Sequence, residues 1–278
     1  MKILEANILV FDTETTGVDP LRDAIVELAA VELRAGRPGR SATLRLNPGC
    51  PIPDGASKVH GIYDADVANE PFFDEVADRV AARLGADDWH VLCGYNAVHF
   101  DVPMVNSAFE NAGHPFRIDP ARVLDPFIFL RRRHNHLPSK LGEVCQRHGV
   151  VLDNAHAADA DAKATAELLT VFVREGLMPT EIDHALEVQA QWREVLVREE
   201  QEFGRKLYRD TLGEGDSVLR LGFGKQRGCR LDQVDGGLIR WVLERPDFHP
   251  GAVAAFKAEL DRRSGRSSRP TTEQMSFA

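Results

Sequence analysis

Asp12 and Glu14 stand two positions apart, directly after the apolar run Ile8-Leu9-Val10-Phe11. If that run is a strand continuing through residue 14, its period of two puts both carboxylates on one face. Adjacent carboxylates repel and raise one another's pKa, and a divalent cation between them removes that penalty. A solvated strand end is the other reading of a lone Asp-x-Glu. Thr15-Thr16-Gly17 shifts the balance toward a ligand, because small hydroxyls and a glycine let one approach the backbone closely.

Two further segments carry the same kinds of group. Gly94-Tyr95-Asn96-Ala97-Val98-His99-Phe100-Asp101 reads as a strand-to-helix junction with Asp101 at or just before the helix start. A helix N-cap is the alternative role for Asp101, and the two roles can coexist. His156-Ala157-Ala158-Asp159-Ala160-Asp161 opens an alanine-rich helix, with His156 five positions before Asp161. By itself this is equally a capped helix with a surface histidine. Taken together, four carboxylates and one histidine fall at strand ends and helix starts, where catalytic groups in sheet-and-helix folds gather.

The elements that must position them follow from apolar spacing. Residues 8–11, 25–33 and the alternating Ala42, Leu44 and Leu46 read as three successive strands, an antiparallel meander ended by Asn47-Pro48-Gly49. Helical spacing over residues 72–84, a strand at Val91-Leu92-Cys93 and a helix over residues 102–112 come next. Val123-Leu124 reads as a short strand, and residues 141–148 and 158–173 as helices. A mixed sheet flanked by helices is the simplest arrangement. A long helix begins near Thr180-Glu181-Ile182-Asp183, and beyond Gly213-Glu214-Gly215 lie two short strands and helices around residues 238–243 and 252–260.

Composition bounds the function. The 278 residues carry 34 Lys plus Arg, 43 Asp plus Glu and 43% apolar side chains, ordinary for one large or two smaller globular domains. No apolar run reaches the roughly 18 to 20 residues of a membrane helix, and Glu5 stands where a signal peptide is apolar, so a soluble, cytoplasmic protein without membrane contact is expected. Cys50, Cys93, Cys145 and Cys229 form no CxxC pair and read as reduced thiols. The net charge of −9 is uneven, since residues 204–278 hold 14 basic and 10 acidic side chains. An acidic first part that handles a polyanion needs bound cations.

Phe11-Asp12-Thr13-Glu14-Thr15-Thr16-Gly17, Gly94-Tyr95-Asn96 with Phe100-Asp101, and His156 with Asp161 resemble the three ordered motifs of the DEDDh 3′–5′ exonucleases, over roughly residues 5–175. That family includes the epsilon subunit of bacterial DNA polymerase III, ribonuclease T and exodeoxyribonuclease X. Val59-His60-Gly61-Ile62 is similar to a segment of the epsilon-like branch. The resemblance implies an α/β, ribonuclease H-like fold with a mixed five-stranded sheet and two Mg²⁺ or Mn²⁺ ions. It makes Asp12, Glu14 and Asp161 direct ligands, Asp101 the holder of the second ion and His156 the general base. Hard cations take oxygen ligands, and two of them can clamp an in-line phosphoryl displacement. The family's His-to-Asp spacing selects Asp161 over Asp159. By family position Thr15, Thr16 and Gly17 serve the terminal nucleotide, and His60, Asn96 and Phe100 join the substrate-binding set.

The resemblance divides the chain into an exonuclease domain (1–176), a connecting helix (177–212), a small α+β module similar to that of exodeoxyribonuclease X (213–263) and a disordered basic tail (264–278). Phe223-Gly224-Lys225 through Trp241-Val242-Leu243 carry that second likeness, and the module's positive charge suits either a nucleic-acid clamp or a stabilising role. Gln226 after Lys225 excludes a Walker phosphate loop. Arg131-Arg132-Arg133 reads as phosphate contact or a basic helix end, Tyr95 and Phe100 as base-stacking or core aromatics, and His134-Asn135-His136 as a surface turn. Gln274-Met275-Ser276-Phe277 loosely resembles a sliding-clamp docking peptide, and a polymerase contact is the other partner considered. The expected activity is 3′–5′ hydrolysis of single-stranded DNA ends in repair or proofreading. An exoribonuclease and a noncatalytic nucleic-acid-binding protein are the alternatives.

Overall fold

The computed structural model describes residues 1–134, 137–210 and 218–265. Residues 266–278 of the expected tail, with its clamp-like peptide, the Gly213-Glu214-Gly215 boundary, and Asn135 and His136 lie outside the described residues. The chain divides into two compact units, residues 1–133 with 138–193, and residues 134–137 with 194–278.

In the first unit, β1 (Asn7–Thr15), β2 (Ile25–Arg34) and β3 (Arg37–Arg45) follow one another. Then come α1 (Asp54–His60), α2 (Asp64–Val67), α3 (Phe73–Leu84), β4 (Val91–Cys93), α4 (Asp101–Asn111), β5 (Val123–Leu124), α5 (Pro126–Arg133), α6 (Leu141–His148) and α7 (Ala158–Arg174). α8 (Ile182–Phe203) runs across the division between the units. The sheet order is β3-β2-β1-β4-β5, with β1, β2 and β3 antiparallel and β4 and β5 parallel to β1. This is the mixed five-stranded sheet expected from the sequence.

Burial explains the pattern in each strand. β2 is buried at every position except Arg34, which accounts for its mostly apolar character, and its two buried acids, Glu27 and Glu32, are paired with arginines. β1 is continuously buried through Phe11 and then alternates, with Thr13 and Thr15 buried and Asp12 and Glu14 half-buried. The strand changes character where it begins to present a site. β3 is an edge strand with its side chains almost all exposed, so the expected alternation of Ala42, Leu44 and Leu46 is only partly realised. Leu46 lies beyond the strand, fully buried, with its N–H on the Val26 carbonyl at 3.0 Å.

α7 packs against β1, β2 and β3. Its buried Ala158, Ala162, Ala164 and Ala166 let the helix axis approach the sheet, while Leu168, Leu169 and Phe172 fill the core farther along. Two short helices have no periodicity to announce them. α1 ends on Gly61 in the left-handed conformation, and α2 is fixed by Asp66, which accepts the Tyr63 N–H at 2.8 Å.

The second unit pairs β6 (Leu207–Asp210) with β7 (Val218–Leu221) and adds α9 (Gly236–Leu243) and α10 (Pro250–Arg263). Phe203, Leu221, Ile239, Val242, Phe248 and Phe256 form its core. The glycine-rich segment after β7 extends the pairing at the open end of the strands, with the Gly222 N–H on the Lys206 carbonyl at 2.9 Å, and then turns back, with the Gly228 N–H on that of Leu221 at 2.8 Å. Asp235 caps α9 through the Gly237 N–H at 2.7 Å.

Phe172 is completely buried against the sheet. Phe172→Ala should cost about 3–5 kcal/mol, read as the shift of the first unit's urea transition. A loss below about 1 kcal/mol would contradict this packing.

Candidate active site and metal centre

The three sequence motifs converge on one end of β1. Asp12 and Glu14 project from the same face, and Asp161 reaches them from the first turn of α7. One carboxylate oxygen from each of Asp12, Glu14 and Asp161 lies within 4.8 Å of the others. Asp159, two residues earlier, faces outward in an ion pair with Lys163 at 2.8 Å.

Asp101 is the first residue of α4 and only 2% exposed. It does not cap that helix. Its Oδ1 instead accepts two bonds from Thr13, the backbone N–H at 2.9 Å and the hydroxyl at 2.6 Å. The residue between the two β1 carboxylates therefore ties the second motif segment to the first. His156 stands just before α7 in a left-handed conformation (φ +68°) with its imidazole exposed. Its backbone N–H reaches both Asp161 oxygens, at 3.4 and 3.3 Å.

His60 accepts the Ile62 N–H on Nδ1 at 3.1 Å, which places its proton on Nε2. That Nε2 is buried, beside the Thr15 backbone. Burial holds the imidazole below its usual pKa, and Thr15, Glu27 and His156 are among its neighbours. The hydroxyls of Thr15 and Thr16 turn into their own loop: Thr15 donates to the Gly17 carbonyl at 2.6 Å, and Thr16 donates to Asp23 at 3.2 Å. A Cβ at Gly17 would meet the Asp23 carboxylate, which would have to shift and loosen its bonds to this loop. Asn96 adopts φ +62°, and Phe100 is the half-buried residue before α4. Tyr95 donates to the Ser139 carbonyl at 2.6 Å and packs edge-on to Phe127. Arg131 and Arg133 lie over the rings of Phe127 and Trp192.

Three acidic residues at the site carried no sequence signal. Glu27, 6% exposed, stands opposite Glu14 in the β1–β2 register. It accepts from Arg45 Nε at 3.1 Å and from the Ala158 N–H at 3.3 Å. Asp23 holds the Thr15-Thr16-Gly17 loop. Asp125, 1% exposed, accepts the backbone N–H groups of Asn96 at 2.8 Å, Val98 at 3.1 Å and Phe127 at 3.1 Å. Glu27 and Asp125 sit inside or beside apolar runs, and their partners are distant in sequence.

Charge crowding sets the electrostatics. Burial, then Asp101, Asp161, Glu14 and Glu27, raise the Asp12 carboxyl well above its ordinary value. Glu14 is pushed up to about 8, by burial first and then by Asp161 and Glu27. Asp101 rises to about 6 through burial, opposed by its Thr13 bonds, and Asp161 rises through burial, opposed by the His156 N–H. Burial carries Asp125 to about 7 against its three donors. An all-oxygen, anionic cluster that holds protons this tightly fits a hard divalent cation.

A family profile described as the exonuclease family of ribonuclease T matches residues 9–169, more than half of the chain. The chain belongs to this exonuclease family. The DNA polymerase III PolC-type protein of Streptococcus suis is 31% identical over 179 residues, covering 62% of this chain and 12% of that protein. The PolC-type protein of Streptococcus pneumoniae is likewise 31% identical over 176 residues, covering 63% of this chain and 12% of that protein. The chain thus corresponds to a small part of these relatives. Escherichia coli exonuclease I in complex with a dA16 oligonucleotide superimposes with a TM-score of 0.56 at 16% identity, over 87% of this chain and 60% of that one. The exonuclease I/SSB-Ct complex gives 0.56 at 15% identity, over 89% and 62%. At such identities the likeness establishes the shared ribonuclease H-like fold. The family match spans all three motif segments, so the cluster lies within the exonuclease domain. No helix among the described residues is long and apolar enough to cross a membrane.

The crowding has a measurable consequence. Above about pH 4 the unfolded chain releases carboxyl protons that the folded cluster retains. The folded state then binds more protons, and stability falls as pH rises, up to the folded value of about 8 for Glu14. Metal-free protein should show a Tm decline between pH 5 and pH 8 that is shallower in Glu14→Gln, and added Mg²⁺ or Mn²⁺ should raise Tm more at pH 8 than at pH 5. Identical pH slopes for the two proteins would refute this account.

Proposed function

We propose that the chain is a metal-dependent 3′–5′ exonuclease that removes nucleoside 5′-monophosphates from the 3′ end of single-stranded DNA. The observation that carries the reading is the meeting of Asp12, Glu14 and Asp161 oxygens within 4.8 Å at the end of β1. Membership of the exonuclease family supports the reaction class, and the ssDNA in the zinc-bound exonuclease I complex supports the substrate. The PolC-type relatives support a setting in repair or proofreading, beside a polymerase.

In this reading Asp12, Glu14 and Asp161 hold two Mg²⁺ or Mn²⁺ ions, with Asp101 serving the second. When bound, the ions offset phosphate charge and stabilise the attacking and leaving oxygens of the in-line displacement. His156 takes a proton from the attacking water as the water's oxygen bonds to phosphorus and the bond to the 3′ oxygen breaks. The leaving 3′ oxygen is protonated in turn. Asp161 fixes the turn that carries His156 through the backbone N–H of that residue. His60, held below its usual pKa by burial, stands beside the Thr15 backbone, where its Nε2–H is suited to donate to a substrate oxygen. The loop holds its shape through Asp23, which leaves the backbone around Gly17 open to a nucleotide.

The test is digestion of 5′-labelled single-stranded DNA and RNA of equal sequence with Mg²⁺, Mn²⁺ or EDTA. A metal-dependent ladder shortening from the 3′ end, faster on DNA and lost in Asp161→Ala, is expected. His156→Ala should lower kcat about 10²- to 10⁴-fold. Folded, metal-loaded protein that cleaves neither strand would overturn the proposal, and faster cleavage of RNA would overturn its substrate.

A further inference from the structure

β5 is only two residues long and forms the outer edge of the sheet. An edge strand leaves backbone groups to be satisfied by something other than a strand. Here the side chain of Gln189, 4% exposed on α8, does so with both ends of its amide. Its Oε1 accepts the Asp125 N–H and its Nε2 donates to the Val123 carbonyl, each at 2.7 Å. The amide thus copies what one peptide unit of a sixth strand would offer at this point.

Asp125 passes the constraint onward. Its carboxylate accepts the N–H groups of Asn96 and Val98, holding the turn in which Asn96 takes its left-handed conformation. The Phe100 and Val102 N–H groups bond in turn to the Asn96 and Ala97 carbonyls, which seats the first turn of α4. That turn carries Asp101 to Thr13, between the two β1 carboxylates. Each link is a hydrogen bond, and the first lies on a helix beyond residues 9–169 that the exonuclease family matches.

We propose that Gln189 is a positioning residue for the active site: through Asp125 it sets the 96–98 turn and thereby the place of Asp101. The proposal rests on the exonuclease reading for its catalytic consequence, whereas its structural half stands separately. Gln189→Leu preserves side-chain bulk and removes both hydrogen bonds. Leu186→Ala is the matched control, because Leu186 packs α8 on the core without touching this chain of bonds.

Amide hydrogen exchange, thermal unfolding and steady-state cleavage of labelled single-stranded DNA decide the matter in the full chain. In Gln189→Leu the Asn96 and Val98 amides should exchange at least about tenfold faster. kcat should fall about 10- to 100-fold while KM stays within about a factor of two. Leu186→Ala, at a comparable loss of Tm, should keep both its Asn96 protection and its kcat. Gln189→Asn, which retains an amide of shorter reach, should move the same quantities less and replaces the leucine variant if that protein does not fold. Unchanged Asn96 and Val98 exchange, or a kcat equal to that of the Leu186→Ala control, would overturn the proposal. If the unaltered chain cleaves nothing, the exonuclease reading fails, and the exchange measurement still decides whether Gln189 holds the turn.

Discussion

Like charge gathered at the buried end of one strand is the constraint around which the first unit is arranged. Asp12, Glu14, Asp101, Asp161 and Glu27 share a small region, and burial and mutual repulsion raise the first four. The surrounding structure treats them unequally. Asp101 has both donors of Thr13, Glu27 has Arg45 and the first N–H of α7, and Asp161 has the His156 N–H. Among the described residues no hydrogen bond reaches the carboxylates of Asp12 and Glu14. A carboxylate buried without donors is costly unless it keeps its proton or gains a cation. Asp101 and Glu27 are therefore committed to the protein and Asp161 only in part, while the two on β1 are left, with Asp161, for a ligand.

The pairing of Glu14 with Glu27 shows how closely the scaffold follows from this division. Two carboxylates directly opposite on neighbouring antiparallel strands repel. Glu27 still raises the Glu14 carboxyl, and its own charge is offset by Arg45 on β3 and by the Ala158 N–H at the start of α7. Through these bonds it joins β2, β3 and α7, and it fixes the helix start from which Asp161 returns to Glu14. The alanines of α7 serve the same end, since a helix of larger side chains would stand farther from the sheet and carry Asp161 with it.

The legible part of the site was the part written in local spacing. Asp12 and Glu14 share a face because a strand has a period of two, and the apolar run before them marks that strand. The existence of the first four strands and of the helices α3 and α7 also follows from local periodicity, whereas the place of β4 beside β1 is a long-range pairing. Other features carried no local mark. Glu27 is one acid in an apolar strand, and its helix partner is 131 positions away. Asp101 has the sequence position of an N-cap yet bonds across to β1, a choice made by Thr13 and not by its own neighbours. α1 and α2 are too short for periodicity to register and depend on Gly61 and Asp66, whose roles appear only when the turns are formed.

Where the exonuclease domain ends as a physical object is a separate question from where its recognisable sequence ends. The family match stops at residue 169, inside α7. A domain ending there would expose the edge of β5 and leave the Asp125 N–H and Val123 carbonyl without partners. α8 supplies more than cover: Trp192 packs on Phe129, Ile182 and Ala185 join the core, and the Gln189 amide completes the edge. Asp125 needs a fixed backbone because its carboxylate holds a turn containing a non-glycine residue at positive φ, a conformation that persists only when its surroundings enforce it. The helix after the motifs is accordingly part of what shapes them, and the first unit extends through residue 193 for a reason that lies in hydrogen bonding at the sheet edge.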